Sequence, residues 1–351
     1  MKTIAIPKEM KSHEYRLALM PEQVLVLSKK NVRILLESGA GEGIGLSDQV
    51  YEEAGAEIIS ETTALYKEAD LILKVKEPTS EELAYFKEGQ TLFCFLHLAA
   101  NPELATFLID RKITAIAFES IALDDGTLPI LKPMSQIAGA LAVQEGAKYL
   151  TKLKEGRGLL LSGIEGLFPA SVLILGAGNA GSKAAEVALG MGAMVTVLDV
   201  SKQALSQLKQ QFPKLTVHDM SEGRLLTELK ESDLVIGTVL IPDQAAPKVI
   251  KKDHLAVMKK GAVIVDVSVD QGGCCETTRP STHEDPVYVV DGVLHYAVSN
   301  MPGIVPLTAS QALSEVTFPY VQRLLERPIS TILAEDSPLR RGIYSHDGLS
   351  V

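Results

Sequence analysis

Along the first 130 residues, short apolar, β-branched runs alternate with longer stretches that mix apolar and charged positions. The runs at 3–6, 32–36, 71–75, 91–95 and 114–118 read as strands. The stretches 21–30 and 102–111 each open on a proline, Pro21 and Pro102, a residue suited to the first turn of a helix. A second and stronger series of apolar runs occupies 172–175, 195–198, 215–218, 234–236, 263–267 and 287–290. Such alternation predicts parallel sheets covered by helices. Between the two series a helical pattern covers 135–153, with the small residues Ala138, Gly139, Ala140 and Ala142 near its start; another covers 308–327, just after Pro306. The expected fold is α/β, with two Rossmann-like doubly wound domains, the first discontinuous, linked by long helices. Residues 1–130 and 305–351 make up the first domain and 131–304 the second. No repeat of fixed solenoid period is present.

Composition narrows the class. A chain of 351 residues exceeds one ordinary core, and 46% hydrophobic with 22% charged residues describes a globular protein. No apolar run approaches the roughly 18 residues of a membrane span. Pro7, Lys8 and Glu9 interrupt any signal-peptide pattern, so the cytoplasm is the expected location. Three cysteines, Cys94, Cys274 and Cys275, match a reducing compartment. The net charge of -10 argues against nucleic acid as the main partner. The histidines show no HxH or HExxH spacing, and no metal site is expected.

The strongest local signal is Gly176-Ala177-Gly178-Asn179-Ala180-Gly181, which follows an apolar strand and opens an Ala-rich helix. In such a turn Gly176 permits the tight bend and Gly178 the approach of a pyrophosphate. Gly181 lets helix and strand pack closely, and the helix N-terminus faces the phosphates. Asp199 closes the next strand at about the 20-residue offset at which a carboxylate accepts ribose hydroxyls. That carboxylate repels a 2′-phosphate and favours NAD over NADP, although Lys202 nearby weakens the preference.

Other polar residues stand where strands are expected to end. Lys74 and Lys76, two apart in LILKVKEP, would share one face of their strand, with Lys76 at its C-terminal end. His97 ends the next strand, and Arg16 sits at a loop-to-helix entry. Arg16 offers a carboxylate clamp, Lys76 a carbonyl-polarising cation and His97 a proton donor or acceptor. Taken singly, a strand-end lysine or histidine is ordinarily structural, and a lone arginine is ordinarily solvated. Asp270 is expected at the end of a parallel strand facing the cofactor crevice, with a turn cap as its plainer role. Asn300, Met301 and Pro302 form a further loop that could line that crevice.

Several motifs in fixed order make the chain resemble the alanine dehydrogenase family, within the superfamily that also holds the transhydrogenase nucleotide-binding domain. They are IPKE, Tyr15-Arg16, ESGAGEG, LKVKEP, FLHLA, PMSQIAG, LGAGNAG, SDLVIGTVL, DQGG and NMPG, spread over nearly the whole chain. The resemblance implies amino-acid catabolism: the reversible oxidative deamination of L-alanine to pyruvate and ammonium with NAD. It implies that Arg16 binds the substrate carboxylate, Lys76 holds the carbonyl or imine side, and His97 is the acid/base. Asp270 would order nicotinamide, water and ammonia. Ser135, Asp199, Val239, Leu240 and Asn300 match cofactor-contacting positions, and a homo-oligomer, a hexamer, is implied. Gln136, Ala140, Ala204 and Leu307 depart from the family pattern, which bears on affinity more than on reaction class. Three rival readings are a transhydrogenase-like hydride relay, a related amino-acid or opine dehydrogenase, and a retired enzyme kept as a structural or binding protein. The intact Lys76, His97 and Asp270 oppose the last. The relay relatives usually carry a tryptophan-proline pair in place of the histidine of FLHLA, whereas this chain has His97 and no tryptophan.

Overall fold

The computed structural model describes residues 2–98, 101–241 and 245–351; Ala99, the last residue of the FLHLA motif, lies outside them. The chain divides into two compact units, one of residues 1–134 and 302–351 and the other of residues 135–301. Each is α/β and built on a parallel sheet. Among the described residues, no helix is long and apolar enough to cross a membrane.

In the first unit the strands are β1 (Thr3–Ile6), β2 (Arg33–Glu37), β3 (Glu57–Ile59), β4 (Leu71–Leu73), β5 (Thr91–Cys94) and β6 (Thr114–Ala117). The second unit contributes β7 (Ser171–Leu175), β8 (Met194–Asp199), β9 (Thr216–Asp219), β10 (Leu234–Gly237), β11 (Val263–Asp266), β12 (Val287–Val290) and β13 (Val293–Tyr296). The chain then returns to the first unit with β14 (Ile343–His346) and β15 (Leu349–Ser350).

The first sheet runs β3-β2-β1-β4-β5-β6, all parallel, and is extended by the antiparallel β14 and then β15. The second runs β9-β8-β7-β10-β11-β13, again parallel, with β12 antiparallel at its edge. Each six-strand parallel core is therefore doubly wound, with the strand order reversing between β1 and β4 in one unit and between β7 and β10 in the other. Crevices at the carboxyl ends of such strand pairs are where open α/β sheets bind ligands. The central strands are apolar throughout and buried on both faces, as in β7, where Val172, Leu173, Ile174 and Leu175 are all buried.

Some expected elements change. The run 287–290 is an antiparallel edge strand, hairpinned through Asp291 and Gly292 to β13, which takes the last parallel position. The helix expected over 135–153 spans Leu131–Leu150. Pro133 stands in its first turn, where the missing N–H would have had no intrahelical partner anyway. Likewise the later helix is Pro306–Glu326, with Pro306 at its first position. Its buried Ser310, Ser314 and Thr317 form a polar stripe that bonds to the segment after Arg16. Ser310 Oγ accepts from Leu17 N (2.8 Å), Ser314 Oγ accepts from Met20 N (2.9 Å), and Thr317 Oγ1 donates to Ala18 O (3.1 Å).

Candidate active site

In the first unit, ionisable side chains gather just beyond the carboxyl ends of β1, β4 and β5. Lys74 does not share a face with Lys76, contrary to the strand-alternation reading. β4 ends at Leu73, and Lys74, 1% exposed, turns into the interior. Its Nζ lies 2.6 Å from Glu82 Oε1 and 3.3 Å from Glu9 Oε2, and Tyr66 Oη donates to Glu82 Oε1 at 2.8 Å. Burial pushes the Glu9 carboxyl up, Lys74 pulls it down, and Glu14 and Glu82 add to the upward push. Glu9 Oε1 also accepts from Val75 N at 2.6 Å, which tethers the turn that carries Lys76. Lys76 is half-buried, and its Nζ has no ion-pair partner among the described residues.

Beyond β5 the chain takes a left-handed conformation at His97, with φ +48°. Such a φ is uncommon for a residue other than glycine, and here the surroundings hold it. The backbone N–H groups of Leu96 and His97 both donate to Glu119 Oε1, at 3.1 and 2.7 Å. The His97 ring stacks on Phe95, its side chain is 39% exposed, and its Nδ1 is 3.1 Å from Glu77 Oε2. Lys11 Nζ binds the other oxygen of Glu77. Burial alone would push the Glu77 carboxyl up, but His97 and Lys11 outweigh it and hold it at about 2. Glu77 is thus held as a carboxylate, with one oxygen against Nδ1 of His97 and the other on Lys11.

Arg16 is not a solvated charge. It is 2% exposed, and Glu14 takes its guanidinium in a fork, through Nε (2.7 Å) and through Nη2, while Nη1 approaches Met134 Sδ at 3.2 Å. Sequence reasoning singles out Arg16, Lys76 and His97 and passes over Glu14, Glu77, Glu119 and Lys11, which the structure places against Arg16, His97 and one another. In sequence these look like ordinary loop charges. Only the placing of Glu77 directly after Lys76, in a motif ending at Pro78, hints at more.

In the second unit the glycine turn leaves β7 as expected. Gly176 has φ +106°, and a Cβ on Gly181 would come within 1.9 Å of Gly176 O, so both positions require glycine. A Cβ on Gly178 would instead point into open space, beside the N-terminus of the helix Asn179–Gly190. That leaves room for a pyrophosphate against backbone N–H groups. Ala180, within the first turn of that helix, packs its carbonyl where a Cβ on Gly139 would stand, at 2.1 Å. Thr238, unremarked in the sequence, fastens the turn by donating to Leu175 O at 2.9 Å. Asp199, at the end of β8, accepts from Ala177 N and from Ser201 N, each at 2.6 Å. Its carboxylate is therefore fixed beside the turn.

Val239 and Leu240 lie just past β10, and Val239 O accepts from Ser268 Oγ at 2.7 Å. Ser135 lies half-buried in the helix Leu131–Leu150. Asp270 does not end a strand: β11 ends at Asp266, and Asp270 lies exposed in the helical turn Val267–Gln271. The strand stops at Asp266 because its carboxylate caps that turn and the loop beyond it, accepting from Ser268 N, Cys274 N and Thr278 Oγ1 at 3.1, 2.9 and 2.5 Å. Asp270 Oδ2 stands 3.4 Å from the backbone N of Asn300, itself in a left-handed conformation. Asp199 at the end of β8, and Val239, Leu240, Asp270 and Asn300 in the segments that follow β10, β11 and β13, all lie in the unit that holds the glycine turn.

Comparison with known proteins finds relatives over nearly the whole chain. The family described as alanine dehydrogenase/PNT matches as an N-terminal domain over residues 5–138 and as a C-terminal domain over residues 142–351. An alanine dehydrogenase of Halomonas elongata is 48% identical over 346 residues, covering 98% of this chain and 93% of its own length. A solved L-alanine dehydrogenase structure is 40% identical with a TM-score of 0.95, covering 99% of this chain and 96% of its own. A transhydrogenase from Sinorhizobium meliloti is 25% identical with a TM-score of 0.84, covering 100% and 99%.

Proposed function

This chain belongs to the alanine dehydrogenase/PNT family of oxidoreductases with a dinucleotide-binding fold, and from that premise we propose that it is an NAD-dependent L-alanine dehydrogenase. The observation that carries the reading is His97, anchored through Nδ1 to Glu77 beyond β5. A dehydrogenase that deaminates its substrate needs a group that takes and returns protons, whereas a relay between two nucleotides does not.

Bound nicotinamide supplies the hydride acceptor; the protein supplies binding, orientation and proton transfer. Arg16, oriented by Glu14, binds the alanine carboxylate. His97 takes a proton from the substrate ammonium, since hydride leaves more readily from a neutral amine. Water then adds to the iminium, and Lys76 stabilises the charge developing on its oxygen as the carbinolamine forms and collapses to pyruvate and ammonium. Asp270 orders the water and the ammonia. The open space at Gly178 and the fixed carboxylate of Asp199 support a dinucleotide without a 2′-phosphate. The cytoplasm and a homohexamer belong to the same reading.

The deciding experiment follows NADH oxidation with pyruvate plus ammonium, against glyoxylate, oxobutyrate and NADPH. Pyruvate with NADH is expected to give the highest rate. Binding of NADH without oxidation by any oxo acid and ammonium would move the hydride-relay reading ahead. Cofactor choice has its own test. Asp199→Asn keeps an oxygen for Ala177 N but removes the charge, and should narrow the preference for NADH over NADPH about tenfold, equivalent to about 1.4 kcal/mol. An unchanged ratio of kcat/KM values would show that Asp199 does not select the cofactor.

A further inference from the structure

We propose that Glu77 is a positioning residue for His97: it holds the imidazole in the tautomer with hydrogen on Nδ1, so that Nε2 is the nitrogen that exchanges protons with the substrate. This rests on the alanine dehydrogenase reading for its consequence in turnover, but not for its geometry. Three contacts over-determine the ring. Glu119 fixes the backbone through two N–H groups, Phe95 stacks against one face, and Glu77 Oε2 takes Nδ1 at 3.1 Å. Lys11 occupies Oε1 of Glu77 and so restrains that carboxylate from behind. Nε2 has no protein partner among the described residues. When Nε2 takes a proton from the substrate, Nδ1 keeps its own, and the imidazolium lies against the Glu77 carboxylate. Return of the Nε2 proton restores the starting tautomer, so one ring serves both directions of a reversible reaction. An acid ionised at neutral pH can only accept from Nδ1, which is why a carboxylate, and not an amide, suits this position.

The test uses full-length protein labelled with ¹⁵N in histidine, the His97 signals being assigned by their loss in His97→Asn. At a pH where the ring is neutral, the wild type should show hydrogen on Nδ1 and an unprotonated Nε2. Hydrogen on Nε2 in the wild type would overturn the proposal, and this arm needs no folded variant at Glu77. In Glu77→Gln, whose amide can donate as well as accept, the Nε2–H form should become populated. With it, kcat should fall at least about tenfold while the Kd for NADH stays within about twofold. An unchanged tautomer ratio or an unchanged kcat in a folded Glu77→Gln enzyme would also sink the idea. If the tautomer is as proposed but the wild type turns over no alanine, the positioning stands and the reaction assignment falls.

Discussion

His97→Ala is expected to lower kcat in both directions by about a hundredfold or more, with the affinity for NADH nearly unchanged. In the proposed mechanism the loss follows from removing the group that takes the proton from the substrate ammonium. Dinucleotide affinity should survive because the glycine turn, Thr238 and Asp199, which carry the proposed cofactor site, all belong to the other unit. The left-handed backbone at position 97 calls for a second variant, since alanine at φ +48° adds strain of its own. Asparagine tolerates that conformation and carries no comparable base, so His97→Asn should lose as much turnover with less effect on stability. Pre-steady-state and steady-state rates measured with both variants decide the matter. Full activity in either would remove His97 from the mechanism.

The second large effect concerns stability. Lys74→Met is expected to destabilise the protein by about 3–5 kcal/mol, because it leaves Glu9 and Glu82 facing each other across a buried site without their shared cation. Denaturant or thermal unfolding of the variant measures this directly. Changing Glu9 and Glu82 to glutamine in the same background should recover much of the loss, since the cost lies in uncompensated charge. A Lys74→Met protein as stable as the wild type would mean that Lys74 adds no net stability. The pH dependence of the neighbouring Glu77 has a clear sign. Its folded value of about 2 lies below the ordinary carboxylate range, so it stabilises the fold above that range. The contribution fades as pH falls from the ordinary glutamate value toward about 2.

Much of this architecture is legible in the chain alone, and the gaps have physical causes. Apolar runs buried on both faces, such as β7 and β10, stand out because a doubly covered parallel strand tolerates no charge. The glycine turn stands out because two of its positions cannot carry a Cβ. The three-residue β3 does not, since Glu57 at its start is exposed and the strand is too short for a period to show. The lysine pair misleads for a different reason: a period-two argument holds only while the strand lasts, and β4 ends before Lys74. The same assumption puts Asp270 at a strand end, whereas Asp266, four residues earlier, ends the strand by capping the next turn. Among the site's polar residues, spacing points to those beside apolar strands but not to their carboxylate partners. Glu14, Glu77 and Glu119 act through tertiary approach, and nothing in local spacing records that approach.

The polar stripe Ser310, Ser314 and Thr317 has a consequence for the order in which the molecule is made. Residues 135–301 form one uninterrupted segment, while the first unit is split on either side of it, and domains generally fold as units during synthesis. The backbone beside Arg16 finds its hydrogen-bond partners only in a helix synthesised some 290 residues later. β6 likewise waits for β14 to cover its edge. The segment that carries the glycine turn is therefore synthesised whole before the first unit has all of its strands. Added NAD during translation should protect the second segment from protease while the first is still open to cleavage.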